Sequence, residues 1–245
     1  MHRVTPDRRW ITALIVFFLT SCAPVTPPAA TSIPTQRIWE VTYPPETAWM
    51  VESFDDCLQS EWNTGIVIQE VMDAELVNDP STVQFMWGDI DPQDLSAYQL
   101  GMDTIRIVAH PGSTVQQISL DQLHDVLSGS IREWSELDPD ASGELHGWVY
   151  PDFLSIEREF LASLDGTDRL SPYFNIAPDV NAMLEAVLAD PLSIGFIPAA
   201  WPKGDLVEIS VADWSVPKAP VVALVRDEDP QLAAWLKCLS DTFPE

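Results

Sequence analysis

The three cysteines are the residues whose side chains could do the most distinctive chemistry in this sequence. Cys22 follows two small residues, Thr20-Ser21, at the end of an apolar run. A thiol at such a cleavage site is suited to carry a lipid, and an ordinary secreted protein with a chance cysteine is the alternative. Cys57 and Cys238 remain as an even pair. In an exported protein such a pair is a disulfide candidate, although two buried free thiols would also fit.

The first 21 residues have the layout of a secretory signal peptide. Three arginines lie within the first nine residues, and residues 11–19 are apolar apart from Thr12. This run is too short to span a bilayer, which needs ~20 residues. It ends in Leu19-Thr20-Ser21-Cys22, which resembles the bacterial lipobox. We therefore expect cleavage before Cys22, with lipid on that cysteine anchoring the chain at the extracytoplasmic face of the cell membrane.

Residues 22–36 are expected to form a tether. The stretch contains four prolines with Ser and Thr between them and shows no apolar periodicity. Such a composition stays extended and cannot bury a core. The folded part is therefore expected to run from about Arg37 to Glu245, roughly 200 residues, which suffices for one large domain or two small lobes.

Enzymatic, metal and nucleic-acid chemistry are disfavoured by the residue types present. The chain has four histidines and contains no His-x-x-x-His, Gly-x-Ser-x-Gly or paired-cysteine spacing, so we expect no enzymatic activity, no metal and no cofactor. The formal net charge is −26, and the signal removes a further net +2, which leaves the mature chain at about −28. A surface this acidic repels nucleic acid, because binding to phosphates needs a basic patch.

Short apolar strands alternate with helical patterns through the rest of the chain. Ser119 followed by Gln122 predicts the start of a helix, and Gly129 predicts its end. Asp179 and Pro230 are expected to begin two later helices. Further helices are predicted over 48–62 and 155–164, and strands over 38–43, 66–68, 83–86, 104–109, 145–150, 194–197 and 221–225. This alternation predicts an α/β fold with mostly parallel sheet.

Two stretches contain recognisable motifs. Residues 107–137 contain a strand ending at a small residue and a proline, a Gln-Leu helix, a Ser-Gly turn, and Trp134-Ser-x-Leu. Residues 181–198 contain a helix, an Asp-Pro turn and an Ile-Gly-Phe strand. The two stretches resemble the phosphate-type solute-binding proteins of ABC transporters, in which the first lies beside the hinge. The resemblance implies the type II periplasmic-binding-protein fold, in which two α/β lobes close on a ligand and the chain crosses between them twice.

The same resemblance implies where the lobes divide. Lobe one would comprise residues 37–109 plus 215–245, and lobe two residues 110–214. Cys57 and Cys238 then fall in lobe one, on its first and last helices, which favours a disulfide that ties the two chain ends together. By the resemblance the partners are a small-molecule or oxyanion ligand and an ABC permease.

The expected ligand site lies beyond strand ends, where helix N-termini offer free N–H groups to an anion. By comparison with the family it involves Thr47, Asp89 with the preceding Gly88, and Ser155. Pro151 stands where the family has an arginine, so Arg158 is expected to supply the positive charge instead. The match is incomplete. No serine- and glycine-rich turn follows the second strand, and Ile and Glu replace the family's Gly and Thr after Ser155.

Two charged residues, Glu157 and Arg158, follow closely after Ser155 and bear on whether an anion can bind there. Glu157 would repel an anion unless it is protonated or paired with Arg158. Arg158 could clamp an oxyanion through its guanidinium, or form a surface charge pair. The preserved hinge segment favours a transport receptor for phosphate or a related oxyanion. The missing Ser-Gly-Thr favours a binding-protein-like scaffold or sensor lipoprotein that no longer binds phosphate.

Overall fold

The computed structural model describes residues 37–72, 82–89, 94–164, 170–226 and 229–244. The predicted signal peptide, Cys22 and the tether lie outside the described residues. Within Gln36–Glu245, which is one compact unit, the described strands form two sheets. The structure is a mixed α/β fold.

The first sheet combines strands from the two ends of the described chain. Its strands are β1 (Arg37–Tyr43), β2 (Thr64–Glu70), β3 (Thr82–Trp87), β4 (Ser96–Asp103) and β11 (Ala219–Val225). The order is β2-β1-β3-β11-β4. β1 pairs parallel with β2 and β3, whereas β11 pairs antiparallel with β3 and β4. The sheet is therefore mixed, and not mostly parallel as the sequence pattern predicts.

The second sheet contains the intervening strands. They are β5 (Ile105–Ala109), β6 (Gln117–Ser119), β7 (His146–Val149), β8 (Asn175–Ile176), β9 (Ser193–Pro198) and β10 (Val207–Ala212). The order is β6-β10-β5-β9-β7-β8. β5 pairs antiparallel with both β9 and β10, although sequence assigns residues 104–109 to lobe one. The chain thus passes between the sheets near Thr104 and again over residues 213–218.

Five α-helices flank the sheets in the described part of the chain. They are α1 (Val51–Asp56), α2 (Leu120–Ser128), α3 (Ser155–Ala162), α4 (Val180–Ala189) and α5 (Pro230–Asp241). Short 3₁₀ helices cover Pro45–Met50, Ser60–Trp62 and Trp134–Glu136. None of the described helices is both long and apolar enough to span a bilayer.

Cap residues explain why three of these helices begin where they do. Ser119 and Gln122 form a reciprocal capping box at α2, and Gly129 ends that helix with φ +77°. The Asp179 carboxylate accepts the Ala182 N–H at the start of α4. Asp229 caps α5 ahead of Pro230. These starts match the sequence prediction.

Aromatic side chains fill the core on both sheets. Phe54 of α1 stacks on Phe85 of β3 with ring centroids 5.0 Å apart, and the Trp235 indole N–H donates to the Phe54 carbonyl at 3.0 Å. Against the second sheet, Phe160 of α3 stacks on Phe196 of β9 at 4.0 Å. These contacts fix α1 and α5 on the first sheet and α3 on the second.

A disulfide joins Cys57, directly after α1, to Cys238 in α5, with Cα atoms 5.7 Å apart. The two residues are 181 positions apart in sequence. The bridge links the first and last α-helices of the described chain, both of which lie against the first sheet. The structure thus contains the pairing that the resemblance implies.

Candidate oxyanion site at the start of α3

The N-terminus of α3 is the point where segments following strands of both sheets meet. Five residues separate the end of β7, in the second sheet, from the start of α3. The 3₁₀ helix Pro45–Met50 follows β1, and Gly88 follows β3, both of the first sheet. The Ile156 N–H in the first turn of α3 donates to the Glu46 carboxylate at 3.3 Å. Contacts of this kind bring the two sheets together at one helix terminus.

Gly88 packs directly against α3. A Cβ placed on this glycine would lie 3.7 Å from the Ser155 Cβ and 3.4 Å from the Glu159 Oε1. Its φ of +93° is a conformation that side chains with a Cβ rarely adopt. The Gly88 N–H donates to the Pro220 carbonyl at 3.0 Å, so it is already used within the first sheet. The structure therefore places Gly88 next to Ser155.

Thr47 and Asp89 have no hydrogen bond to the other predicted site residues in the described structure. Thr47 is buried, and both its hydroxyl and its backbone N–H donate to the Pro44 carbonyl, at 3.1 and 3.0 Å. Its hydroxyl is thus engaged within its own turn. Asp89 is exposed next to Gly88. Neither side chain contacts Ser155 or Arg158 through a hydrogen bond in the described structure.

Arg158 folds back over the beginning of its own helix. Its guanidinium donates to the Phe153 carbonyl at 2.7 Å and to the Ser155 hydroxyl oxygen at 2.9 Å. The side chain is exposed, so these contacts leave part of the guanidinium facing solvent. The structure brings Arg158 and Ser155 together and places one positive charge at the start of α3.

Glu46 is a site residue that the sequence reasoning missed. Its side chain is only 1% exposed, Oε1 accepts from Ile156, and Oε2 has no hydrogen-bond partner in the described structure. Its carbonyl accepts the Trp201 indole N–H at 2.7 Å. Burial raises the pKa of this carboxyl, while hydrogen bonds from backbone N–H groups and the charge of Arg158 oppose the rise. The only sequence feature that could have pointed to Glu46 is its position directly after Pro44-Pro45.

Glu157 is the second buried carboxyl at this helix start. It is 2% exposed, its Oε2 accepts the Tyr150 N–H at 2.9 Å, and its Oε1 has no partner in the described structure. The pKa of Glu157 is raised to about 7, mainly because the carboxyl is buried. The hydrogen bond from Tyr150 opposes this rise, and the negative charge of Asp152 adds to it. Of the two alternatives for Glu157, protonation therefore fits the structure better than pairing with Arg158.

Asp103 holds the first passage between the sheets. One carboxylate oxygen accepts the Trp87 indole N–H at 3.0 Å, and the other accepts the N–H groups of Thr104 at 2.7 Å and Ala200 at 2.9 Å. The pKa of this carboxyl is raised overall, because the effect of burial exceeds the opposing effect of the hydrogen bonds. Asp103 thereby joins the ends of β3, β4 and β9 close to the segments that form the site.

The chemistry of this arrangement is that of an anion-binding helix terminus. The residue before α3, Leu154, provides no side-chain cap, so the first-turn N–H groups need an acceptor from elsewhere. Backbone donors, the helix dipole and a guanidinium converge there. Among the described residues, no cluster of His, Cys, Asp and Glu is arranged to hold a metal ion.

Comparison with known proteins identifies the fold. No family model matches the chain, and no curated protein matches its sequence significantly. A phosphate ABC transporter substrate-binding protein with bound phosphate from Clostridium perfringens is similar in structure, with a TM-score of 0.69 and 12% identity over 83% of this chain and 93% of that chain. An ABC-type phosphate transport receptor from Vibrio cholerae gives 0.59 and 14%, over 82% and 93%.

A second group of similar structures consists of regulatory domains. The reduced regulatory domain of OxyR2 from Vibrio vulnificus gives a TM-score of 0.55 and 13% identity, over 86% of this chain and 99% of that chain. At these identities the likeness concerns the fold alone. The chain therefore has the two-sheet α/β fold of periplasmic binding proteins, shared by phosphate-binding receptors and OxyR-type regulatory domains.

Proposed function

We propose that this chain is an extracytoplasmic lipoprotein that serves as the solute-binding component of an ABC transporter, for phosphate or a related oxyanion. The observation that carries the proposal is that segments following strands of the first sheet, the 3₁₀ helix Pro45–Met50 and Gly88, meet the N-terminus of α3 beside the second sheet. In open α/β sheets, ligands bind beyond the carboxyl ends of strands, and helix N-termini suit anions. Arg158 supplies the positive charge that such a ligand needs.

The proposed ligand site includes the turn at Thr47, the Gly88-Asp89 segment, Ser155 and Arg158. The first turn of α3 and the guanidinium would contact the oxyanion directly. Thr47 would act through the backbone position of its turn, because its hydroxyl already bonds to Pro44. The site is placed so that movement of the two sheets relative to each other would change its width.

Two lobes joined by a hinge give the proposed receptor its means of capture. We propose lobe one as residues 37–109 plus 215–245 and lobe two as residues 110–214. Sheet membership supports a passage slightly earlier, at Thr104, where Asp103 joins the ends of three strands. The proposed partners are an ABC permease and the membrane through lipid on Cys22. They are supported by the transport role named for the two phosphate-binding neighbours and by the sequence ahead of the fold.

Calorimetry with inorganic phosphate, sulfate and a panel of neutral solutes tests this function. We expect an oxyanion to bind, and Arg158→Ala to weaken its binding at least tenfold, because charge-assisted contacts contribute roughly 1.5–3 kcal/mol. Lys237→Ala is the matched control, since it removes one exposed positive charge on α5, outside the site. No oxyanion binding, or equal losses in both variants, would contradict the proposal.

The second candidate is a binding-protein-like scaffold or sensor lipoprotein. It is favoured by the buried Glu46 carboxylate at the helix terminus where an anion would bind, and by the similarity to OxyR-type regulatory domains. Native mass spectrometry of protein isolated from its own host separates the two functions. A co-purified oxyanion supports the transport receptor, whereas a homogeneous ligand-free mass together with no phosphate affinity supports the scaffold.

A further inference from the structure

We propose that the carboxylate of Glu46 is an intramolecular substitute for an oxyanion: it occupies the anion-binding N-terminus of α3, and a small oxyanion binds there by displacing it. The inference rests on the proposed function in one respect, namely that this helix terminus is the oxyanion site. It adds that the protein's own side chain competes for that site and thereby sets the affinity.

The contacts of Glu46 are those of a bound anion. Its Oε1 accepts an N–H from the first turn of α3, 110 positions away in sequence. Its Oε2 is fully enclosed yet has no hydrogen-bond partner in the described structure. A buried carboxylate oxygen without a partner is costly, so its position requires a compensating attraction. The helix terminus and the nearby Arg158 charge provide that attraction.

The residue at the N-cap of α3 provides no side-chain acceptor for the N–H groups of the first turn. Leu154 stands at the N-cap, where Ser, Thr, Asp or Asn would ordinarily satisfy a first-turn N–H group. By contrast, α2 and α4 have their own side-chain caps, Ser119 and Asp179. Glu46 therefore does for α3 what a local cap does elsewhere, but from a segment that follows β1 of the other sheet.

A tethered carboxylate competes strongly because it is always near the site. A group held in place by the chain has a high effective concentration, which a free anion must exceed. Glu46 cannot leave freely, since its carbonyl is held by the Trp201 indole N–H. Its side chain, however, is attached by three single bonds between Cα and the carboxyl carbon and can rotate away while the backbone stays in place.

The decisive variant is Glu46→Ala in the full chain, which removes the competing carboxylate and leaves space beside the Ile156 N–H. We expect isothermal titration calorimetry to show inorganic phosphate or sulfate binding at least tenfold more tightly than to wild type. Glu46→Gln keeps the volume and removes the charge, so it should fold even if the alanine variant does not. It should shift affinity in the same direction by a smaller factor.

Glu52→Ala is the matched control, because it removes one exposed carboxylate on α1 and should leave phosphate affinity unchanged. Equal oxyanion affinity in wild type and both Glu46 variants would overturn the inference while leaving the proposed function standing; Glu46 would then be only a remote helix cap. No oxyanion binding in any variant would overturn both. If phosphate or sulfate bound to the Glu46 variants but not to wild type, the inference would be supported. The proposed role of the natural chain as a phosphate receptor would then be wrong.

Discussion

Glu157 and Arg158 are neighbours in sequence, but the helix sends their side chains to different surroundings. Consecutive residues on a helix point about 100° apart, so adjacent side chains do not face each other. Glu157 turns inward and accepts from the Tyr150 N–H, whereas Arg158 lies on the surface and bonds to Phe153 and Ser155. One buried acid and one exposed base at the same helix start therefore act separately.

The raised pKa of Glu157 predicts that part of the folding stability is lost as pH rises. Its pKa of about 7 in the fold exceeds the ordinary value of 4.5, so the native state binds the proton more tightly than the unfolded chain. Its contribution is fully present below pH 4.5 and is lost as pH increases through about 7. Between pH 5 and pH 8 we expect the contribution of Glu157 to the free energy of unfolding to decrease by about 2–3 kcal/mol.

Urea unfolding of wild type and Glu157→Gln across this pH range measures the effect. The glutamine variant should show a flatter dependence of the free energy of unfolding on pH, because its side chain does not titrate. Glu61→Gln, which alters an exposed carboxyl, should keep the wild-type profile. Parallel profiles for wild type and Glu157→Gln would show that Glu157 is ionised in the folded protein throughout.

The residues of the candidate site were only partly predictable from sequence. The family comparison assigns Gly88 and Ser155 to one site, and the structure places these two residues next to each other. Glu46 was not predictable, because nothing in a single sequence distinguishes a buried carboxyl from the many exposed ones in so acidic a chain. Its partner Ile156 lies 110 residues further on, beyond the reach of any local pattern.

At the scale of elements, cap signals predicted more than periodicity did. Ser119 with Gln122, Asp179 and Pro230 mark helix starts that the structure contains. The continuous helix predicted over 48–62 is wrong. The structure divides the segment into the 3₁₀ helix Pro45–Met50, α1 and the 3₁₀ helix Ser60–Trp62, because an apolar stripe does not reveal where a helix changes hydrogen-bond pattern.

Strands β4 and β10 were missed although both alternate more exposed and less exposed positions. β10 begins Val207-Glu-Ile-Ser-Val211, an apolar–polar alternation that is typical of a half-buried strand and could have been predicted. β4 has a weaker signal, because Gly101 stands where an apolar side chain would normally be found. That glycine is needed because the Phe243 ring lies 2.4 Å from where its Cβ would be. Tertiary packing of this kind overrides the local signal for a strand.

The disulfide between Cys57 and Cys238 predicts a measurable link between α1 and α5. A bridge closing so long a loop stabilises the fold by roughly 3–5 kcal/mol in the chain-entropy model. Intact-mass analysis after alkylation under denaturing, non-reducing conditions should find neither cysteine alkylated. Reduction should add both labels and lower the urea midpoint. Two alkylated thiols without reductant would show that the bridge does not form in solution.

At the scale of the whole molecule, the two sheets depend on a few polar links between strand ends. Asp103 joins β3, the first passage and the turn after β9, while Glu46 joins the segment after β1 to α3. Such links can be remade in another geometry more readily than apolar packing can, because hydrogen bonds exchange partners with little change in volume. Both carboxyls have raised pKa values, caused first by burial, so their contribution to folding stability is present at acid pH and is lost as pH rises.

The proposed attachment of the whole molecule to a membrane would depend on Cys22, which lies outside the described residues. The apolar run ending in Leu19-Thr20-Ser21-Cys22 predicts that cleavage exposes this cysteine for lipid attachment. None of the described helices could anchor the chain by spanning a bilayer. In the proposed lipoprotein, acyl chains on Cys22 provide the anchor, and more than one chain is needed for stable retention.

Cys22→Ala should therefore abolish incorporation of labelled palmitate and move the protein from the membrane fraction to the soluble fraction. Ser21→Ala is the matched control, because it keeps a small residue before the cysteine and should preserve both labelling and membrane association. The folded part should be unaffected in either variant, since its disulfide and core begin beyond residue 37. Retention of unlabelled Cys22→Ala protein in the membrane fraction would mean that another contact, such as a membrane partner, holds the chain there.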